Sequence, residues 1–106
     1  MDPIELPSMH HVMDQIQRWQ KETFPAATPE GAVRHLLEEV AEMAVEQDPI
    51  ERAEEAADVF FMLVQFCALF EIDLTSEVLK KLEKNKARTW GKPDKDGVYY
   101  HTSEGL

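Results

Sequence analysis

The chain has 106 residues, enough for one hydrophobic core and too few for two. Twenty-one Asp and Glu against eleven Lys and Arg leave a formal charge of −10, which argues against nucleic acid as a bulk partner, because duplex binding relies on clustered Lys and Arg. One cysteine, Cys67, excludes an internal disulfide and a cysteine-based zinc cluster, and 43% hydrophobic residues are too many for a disordered acidic tail.

The expected fold class is all-α: one domain over residues 1–106, with four helices at about 8–22, 29–47, 49–70 and 74–89 and an irregular tail over 90–106. In the first helix Met9, Val12, Met13, Ile16 and Trp19 recur at helical spacing on one apolar face, behind Ser8 as N-cap. Pro25 ends that region. Thr28-Pro29 then starts a second helix, with a capping hydroxyl and a proline at the first helical position. Its expected core face is Val33, Leu36, Leu37, Val40 and Ala44.

Asp48-Pro49-Ile50-Glu51 is the strongest local signal. Asp48 caps the third helix, Pro49 takes its first turn, and Glu51 stands where a capping-box carboxylate reaches back. From Val59 this helix is apolar around nearly its whole girth, so part of it is expected to pack on another subunit. Cys67 falls in that stretch and reads as a buried structural thiol. The run from Val59 to Phe70 is about twelve residues long, is broken by Gln65, and is short of the roughly twenty a membrane span needs. No basic segment followed by an apolar one opens the chain, so a cytoplasmic location without a membrane is expected. Asp73 is the expected cap of the fourth helix. Gly91, Pro93 and Gly97 break helicity beyond it. Asp94-Lys95-Asp96-Gly97 lacks the further ligands of a calcium loop and reads as a turn, and Trp90 and Tyr99 are expected to pin the tail to a helix.

The charge is unevenly placed. Glu30 to Asp58 carries ten acids and two bases, whereas Lys80 to Lys95 carries seven bases and two acids. No HExxH and no Glu-x-x-His is present, which removes the common zinc and di-iron helical sites. The acids remain. Glu39 and Glu42 are three apart on the second helix, and Glu55 and Asp58 are three apart on the third, so each pair projects from one face. Two antiparallel helices can then gather four carboxylates into a site for a hard cation, Mg²⁺ or Mn²⁺. The bland alternative is a solvated outer face, since Glu38, Glu39, Glu42 and Glu46 lie opposite the apolar stripe of their helix. The third helix favours the metal: its acidic line through Glu51, Glu55 and Asp58 runs on into Met62 and Leu69, where charge needs neutralising. On the fourth helix Lys81, Asn85 and Arg88 fall in one line and suit phosphate oxygens beside a sugar or base edge.

Glu38-Glu39-Val40-Ala41-Glu42 followed by Glu55-Ala56-Ala57-Asp58 resembles the EExxE…ExxD signature of the MazG-like all-α nucleoside triphosphate pyrophosphohydrolases. Lys81, Asn85 and Arg88 fit that family's downstream basic element. Trp19 to Pro25, Ala87 to Gly91, Gly97 and His101 are similar to a branch acting on dATP and dGTP, and the likeness spans about residues 15 to 101. The resemblance implies Glu39, Glu42, Glu55 and Asp58 as ligands of Mg²⁺, with Mn²⁺ able to substitute. It implies Glu38 as the group that orients or deprotonates water, Lys81 and Arg88 on phosphates, and Asn85 on the nucleoside. It further implies a nucleoside triphosphate substrate, monophosphate and pyrophosphate as products, a role in nucleotide-pool housecleaning, and a homodimer or homotetramer. Trp19 reads equally as core packing or as a platform for a base, and His35, one turn before Glu39, is within reach of the site but reads first as a surface or packing residue. Two other functions stay open from the sequence: an idle helical dimerisation module, and the same fold acting on phosphoribosyl-ATP.

Overall fold

A computed structural model describes residues 5–102 of the chain. Four helices follow one another: α1 (Met9–Thr23), α2 (Pro29–Val45), α3 (Pro49–Leu69) and α4 (Leu74–Ala87). The expected all-α class holds, and among the described residues the only extended pairing is an isolated antiparallel bridge between Trp90 and His101. The chain forms two compact units, one ending at Leu74 and the other beginning at Thr75. Residues 103–106 of the expected tail lie outside the described residues.

The helix starts follow the expected chemistry. The Ser8 hydroxyl accepts from the His11 amide at 3.1 Å, Thr28 Oγ1 from Gly31 at 3.1 Å, and Asp48 Oδ2 from Glu51 at 3.1 Å. Each satisfies an N–H that has no partner inside its helix. The second half of the capping box is absent, because Glu51 does not reach back. Glu46 Oε1 takes that place and accepts from the amides of both Gln47 and Asp48 at 3.0 Å. These bonds hold the Glu46 carboxyl below its usual range. At the other end of α3, Ile72 N–H donates to Cys67 O at 2.8 Å and Glu71 N–H to Ala68 O at 3.2 Å, with Glu71 at φ 56°. That pattern is a Schellman stop built without glycine.

In the first unit α3 is the central element, and both α1 and α2 pack on it. Met13 and Ile16 of α1 meet Val64 of α3, with Val12, Phe60, Phe61 and Leu74 around them. The expected face of α1 is therefore right at its centre and displaced at its ends. Met9 is exposed, and buried Gln20 closes the inward line, donating through Nε2 to Phe61 O at 2.9 Å. Cys67 is buried as expected, and burial pushes its thiol up.

α2 departs most from expectation. Ala32 is buried, and Leu36, Glu39 and Met43 are half-buried on the same line. Val33, Leu37 and Val40, three of the five residues expected in the core, are 39%, 65% and 39% exposed. Turning α2 by about a quarter of a revolution relates the two lines. That turn brings Glu39 inward and leaves the apolar stripe on the surface.

In the second unit, the chain beyond α4 doubles back. Gly91 N–H donates to Tyr100 O and Thr102 N–H to Thr89 O, each at 3.0 Å. Asp94 Oδ1 accepts from the amides of Asp96 and Val98 at 2.9 Å, and Gly97 adopts φ 81°. This is the turn expected at Asp94–Gly97. Trp90 Nε1 donates to Asn85 O at 2.9 Å and ties the reversal to the end of α4, whereas the Tyr99 side chain is exposed.

No single helix among the described residues is long and apolar enough to cross a membrane.

Candidate functional site

The quarter turn of α2 builds the site in the first unit. Glu39 and Glu42 of α2 and Glu55 of α3 each bring a carboxylate oxygen within 4.8 Å of the other two. Glu39 and Glu55 are half-buried, and an Oε2 of each is sealed from solvent with no hydrogen-bond partner among the described residues. Buried carboxylate oxygens without a donor are unfavourable, and more so beside like charge.

Burial first, then the charges of Glu42, Glu39 and Asp58, push the Glu55 carboxyl up to about 7. Burial also raises Glu39, reinforced by Glu42 and Asp58, while His35 pulls it the other way. Asp58 thus acts on both acids as a neighbouring charge. Three oxygen donors with a fourth carboxylate close by, offset among the described residues by a single imidazole on Glu39, fit a hard divalent cation. The three converging donors are all carboxylate oxygens, which suits Mg²⁺ or Mn²⁺.

Glu38 is not brought to this cluster. It points to solvent and pairs with Arg34 at 3.7 Å. Glu46 is committed to the α2–α3 turn and Glu54 is exposed. For His35 the structure favours the second of the two sequence readings, contact with the site over a surface or packing role: its Nε2 lies 3.1 Å from Glu39 Oε1. The signal was its position one turn before Glu39, since i and i+4 share a helix face. Trp19 is half-exposed and meets Phe24 and Phe61 edge-on, with ring centroids 5.3 and 6.2 Å away.

In the second unit, Lys81, Asn85 and Arg88 share one line of α4 and its end. Arg88 Nη1 donates to Asn85 Oδ1 at 3.2 Å. The Arg88 charge, then burial, then Lys84, push the Lys81 ammonium below its usual range. A lysine destabilised by neighbouring cations gains from an anion, and phosphate is the anion an Arg–Lys pair fits best.

Comparison with known proteins agrees with this chemistry. The dATP/dGTP pyrophosphohydrolase family model matches residues 12–104. A dATP/dGTP diphosphohydrolase of cyanophage S-2L is 31% identical over 90 residues, which cover 82% of this chain and 81% of that protein. A dATP/dGTP diphosphohydrolase of Salmonella phage PMBT28 is 32% identical over 94 residues, 89% of this chain but only 31% of that longer protein. Among solved structures, a cyanophage S-2L MazG-like pyrophosphohydrolase bound to dGDP and three catalytic Mn²⁺ ions per active site superposes with a TM-score of 0.74 at 28% identity. That match covers 91% of this chain and 99% of the other. The chain belongs to the dATP/dGTP pyrophosphohydrolase family and is a nucleotide pyrophosphohydrolase with the MazG-like all-α fold.

Proposed function

We propose that this enzyme hydrolyses dATP and dGTP to the monophosphate and pyrophosphate, in a Mg²⁺-dependent reaction that Mn²⁺ also supports, and so clears surplus nucleotides from the cytoplasmic pool. The observation that carries this reading is the convergence of Glu39, Glu42 and Glu55, with two sealed and unpartnered oxygens among them. The names of the cyanophage and Salmonella phage relatives support the substrate, and the dGDP and Mn²⁺ of the cyanophage structure support the site chemistry.

Glu39, Glu42, Glu55 and Asp58 are the residues that hold the cation. When bound, a divalent cation offsets phosphate charge and polarises phosphoryl oxygens. His35 positions Glu39 through their 3.1 Å contact. Glu38, exposed and next to Glu39 in the chain, orients the attacking water and takes its proton. Lys81 and Arg88 bind phosphate oxygens, Asn85 meets the nucleoside, and Trp19 supports the aromatic surface offered to the base. With a charge of −10, the protein holds a polyanionic substrate only by placing cations between them.

The enzyme works as a homodimer or homotetramer. The exposed Val33/Leu37/Val40 stripe of α2 is the face that a second copy covers. Nucleic acid is not a partner.

Chromatography of the products of dATP and dGTP tests the reaction. Monophosphate and pyrophosphate in equal amounts are expected. Diphosphate and orthophosphate would place attack at the wrong linkage and overturn the proposal.

A further inference from the structure

One polar side chain in the first unit has no part in the site described above. Gln65 interrupts the most apolar stretch of the sequence, is only 9% exposed, and its amide makes no hydrogen bond among the described residues. Its amide opens onto the cavities beside it, where water satisfies it in the free protein, so a ligand with matching donors and acceptors can take that water's place.

Gln65 lies between two adjoining cavities, each of about 420 Å³, formed by the end of α1, the α1–α2 connection and α3. Phe24, Pro25 and Ala27 line both cavities with it. The second cavity reaches His35, whose Nε2 contacts Glu39 of the acidic cluster. Gln65 is also seven residues beyond Asp58, on the same face of α3 and about 10 Å along it. That is the span from the phosphates of a nucleotide to the far edge of its base. Gln20, in the first cavity, is a weaker candidate: its Nε2 is taken by Phe61 O and its Oε1 is sealed from solvent.

From this placement we propose that the cavity beside Phe24 takes the nucleobase and that Gln65 reads its 6-position. The assignment rests on the proposed function, since it needs a nucleotide with its phosphates at the acidic cluster. An adenine edge offers an N6–H donor beside the N1 acceptor, and a guanine edge offers the O6 acceptor beside an N1–H donor. A primary amide carries one acceptor and one donor group, and rotating it by half a turn exchanges them. Gln65 therefore pairs with either purine, through Oε1 to the base donor and Nε2 to the base acceptor. Phe24 supplies the apolar ring against which a flat base stacks, and Trp19, which meets Phe24 edge-on with ring centroids 5.3 Å apart, braces that ring from outside the cavity.

The test compares kcat/KM for dATP and dGTP in the wild type and in Gln65→Glu. A carboxylate only accepts, so it suits the N1–H and N2–H donors of guanine and opposes the N1 acceptor of adenine. The dGTP-to-dATP ratio is expected to rise on the order of tenfold or more, the scale of a bidentate base contact. In the wild type, the triphosphate of 2′-deoxypurine riboside, which lacks the 6-amino group, is expected to fall below dATP by a similar factor. This second measurement decides the matter if Gln65→Glu does not fold. An unchanged ratio in a folded Gln65→Glu, or an analogue as good as dATP, overturns the assignment and leaves the proposed function standing. Failure of the wild type to hydrolyse any nucleotide overturns the proposed function itself.

Discussion

Replacing Glu42 by Gln should stabilise the metal-free protein while removing its response to metal. Glu42 places a carboxylate oxygen within 4.8 Å of oxygens on both Glu39 and Glu55. Two unit charges at that distance repel by ~0.9 kcal/mol in water and by ~3.5 kcal/mol at an effective dielectric near 20. Solvent reaches much of the cluster, so the lower figure governs, and losing Glu42's charge against its neighbours should relieve about 1–2 kcal/mol. In a domain this small each kcal/mol moves Tm by roughly 4–8 °C. Circular dichroism melts in chelator at about pH 8.5, above the Glu55 value of about 7, should show Tm rising by several degrees. At about pH 5.5 the gain should shrink, because Glu55 is then protonated and its repulsion is already relieved. A divalent cation at a hundredfold excess over its Kd should stabilise the wild type by about 2.7 kcal/mol, and Glu42→Gln should lose most of that. Glu54→Gln, a change on the exposed side of α3, is the control. Glu46→Gln is unsuitable as a control because Glu46 accepts two backbone amides of the α2–α3 turn. Small, equal shifts for Glu42→Gln and Glu54→Gln, within about 0.5 kcal/mol in both chelator and metal, would refute the reasoning.

The raised Glu55 value fixes a pH dependence. A carboxyl moved from its ordinary value of 4.5 to about 7 favours the folded state fully below pH 4.5, and that contribution is lost as pH rises through 7. Melts of wild type against Glu55→Gln in chelator should therefore turn against the wild type across that window; a pH-independent difference would contradict the Glu55 assignment. Metal binding at pH 7 should displace about half a proton from Glu55, measurable by calorimetry in buffers of different ionisation enthalpy. Glu38→Gln should lower kcat by on the order of a hundredfold or more, the scale of general-base assistance, with metal affinity retained; parallel loss of both would make Glu38 a metal ligand. Leu37→Glu should split the oligomer in light scattering, since it puts charge into a stripe whose central side chain is 65% exposed in the single chain. A monomeric wild type would contradict that.

What was legible in the sequence was local. Thr28-Pro29 and Asp48-Pro49 each place a side-chain oxygen three residues from the amide it accepts, so chain spacing alone specifies the helix start. The spacing of Glu39, Glu42, Glu55 and Asp58 was legible for the same reason, because two helices separated by one short turn have little choice but to face each other. The orientation of α2 was not local. Hydrophobicity pointed its Val33/Leu37/Val40 stripe at the core, but α3 receives the narrower line of Ala32, Leu36, Glu39 and Met43. A stripe that another copy can cover looks the same in one sequence as a stripe that the chain covers itself. Gln65 read only as a break in an apolar run, because its place between two cavities depends on the α1–α2 connection folding beside α3.

The central claim is that the Glu39/Glu42/Glu55 cluster holds the divalent cation on which cleavage depends. It is tested most directly by pyrophosphate release from dGTP across a Mn²⁺ titration, in wild type and in Glu55→Gln, with bound Mn²⁺ followed in the same samples by electron paramagnetic resonance. The expected result is release that tracks Mn²⁺ occupancy in the wild type, with both tight binding and release lost in Glu55→Gln at unchanged helicity. Pyrophosphate release at full rate in chelator, or undiminished Mn²⁺ binding by Glu55→Gln, would contradict it.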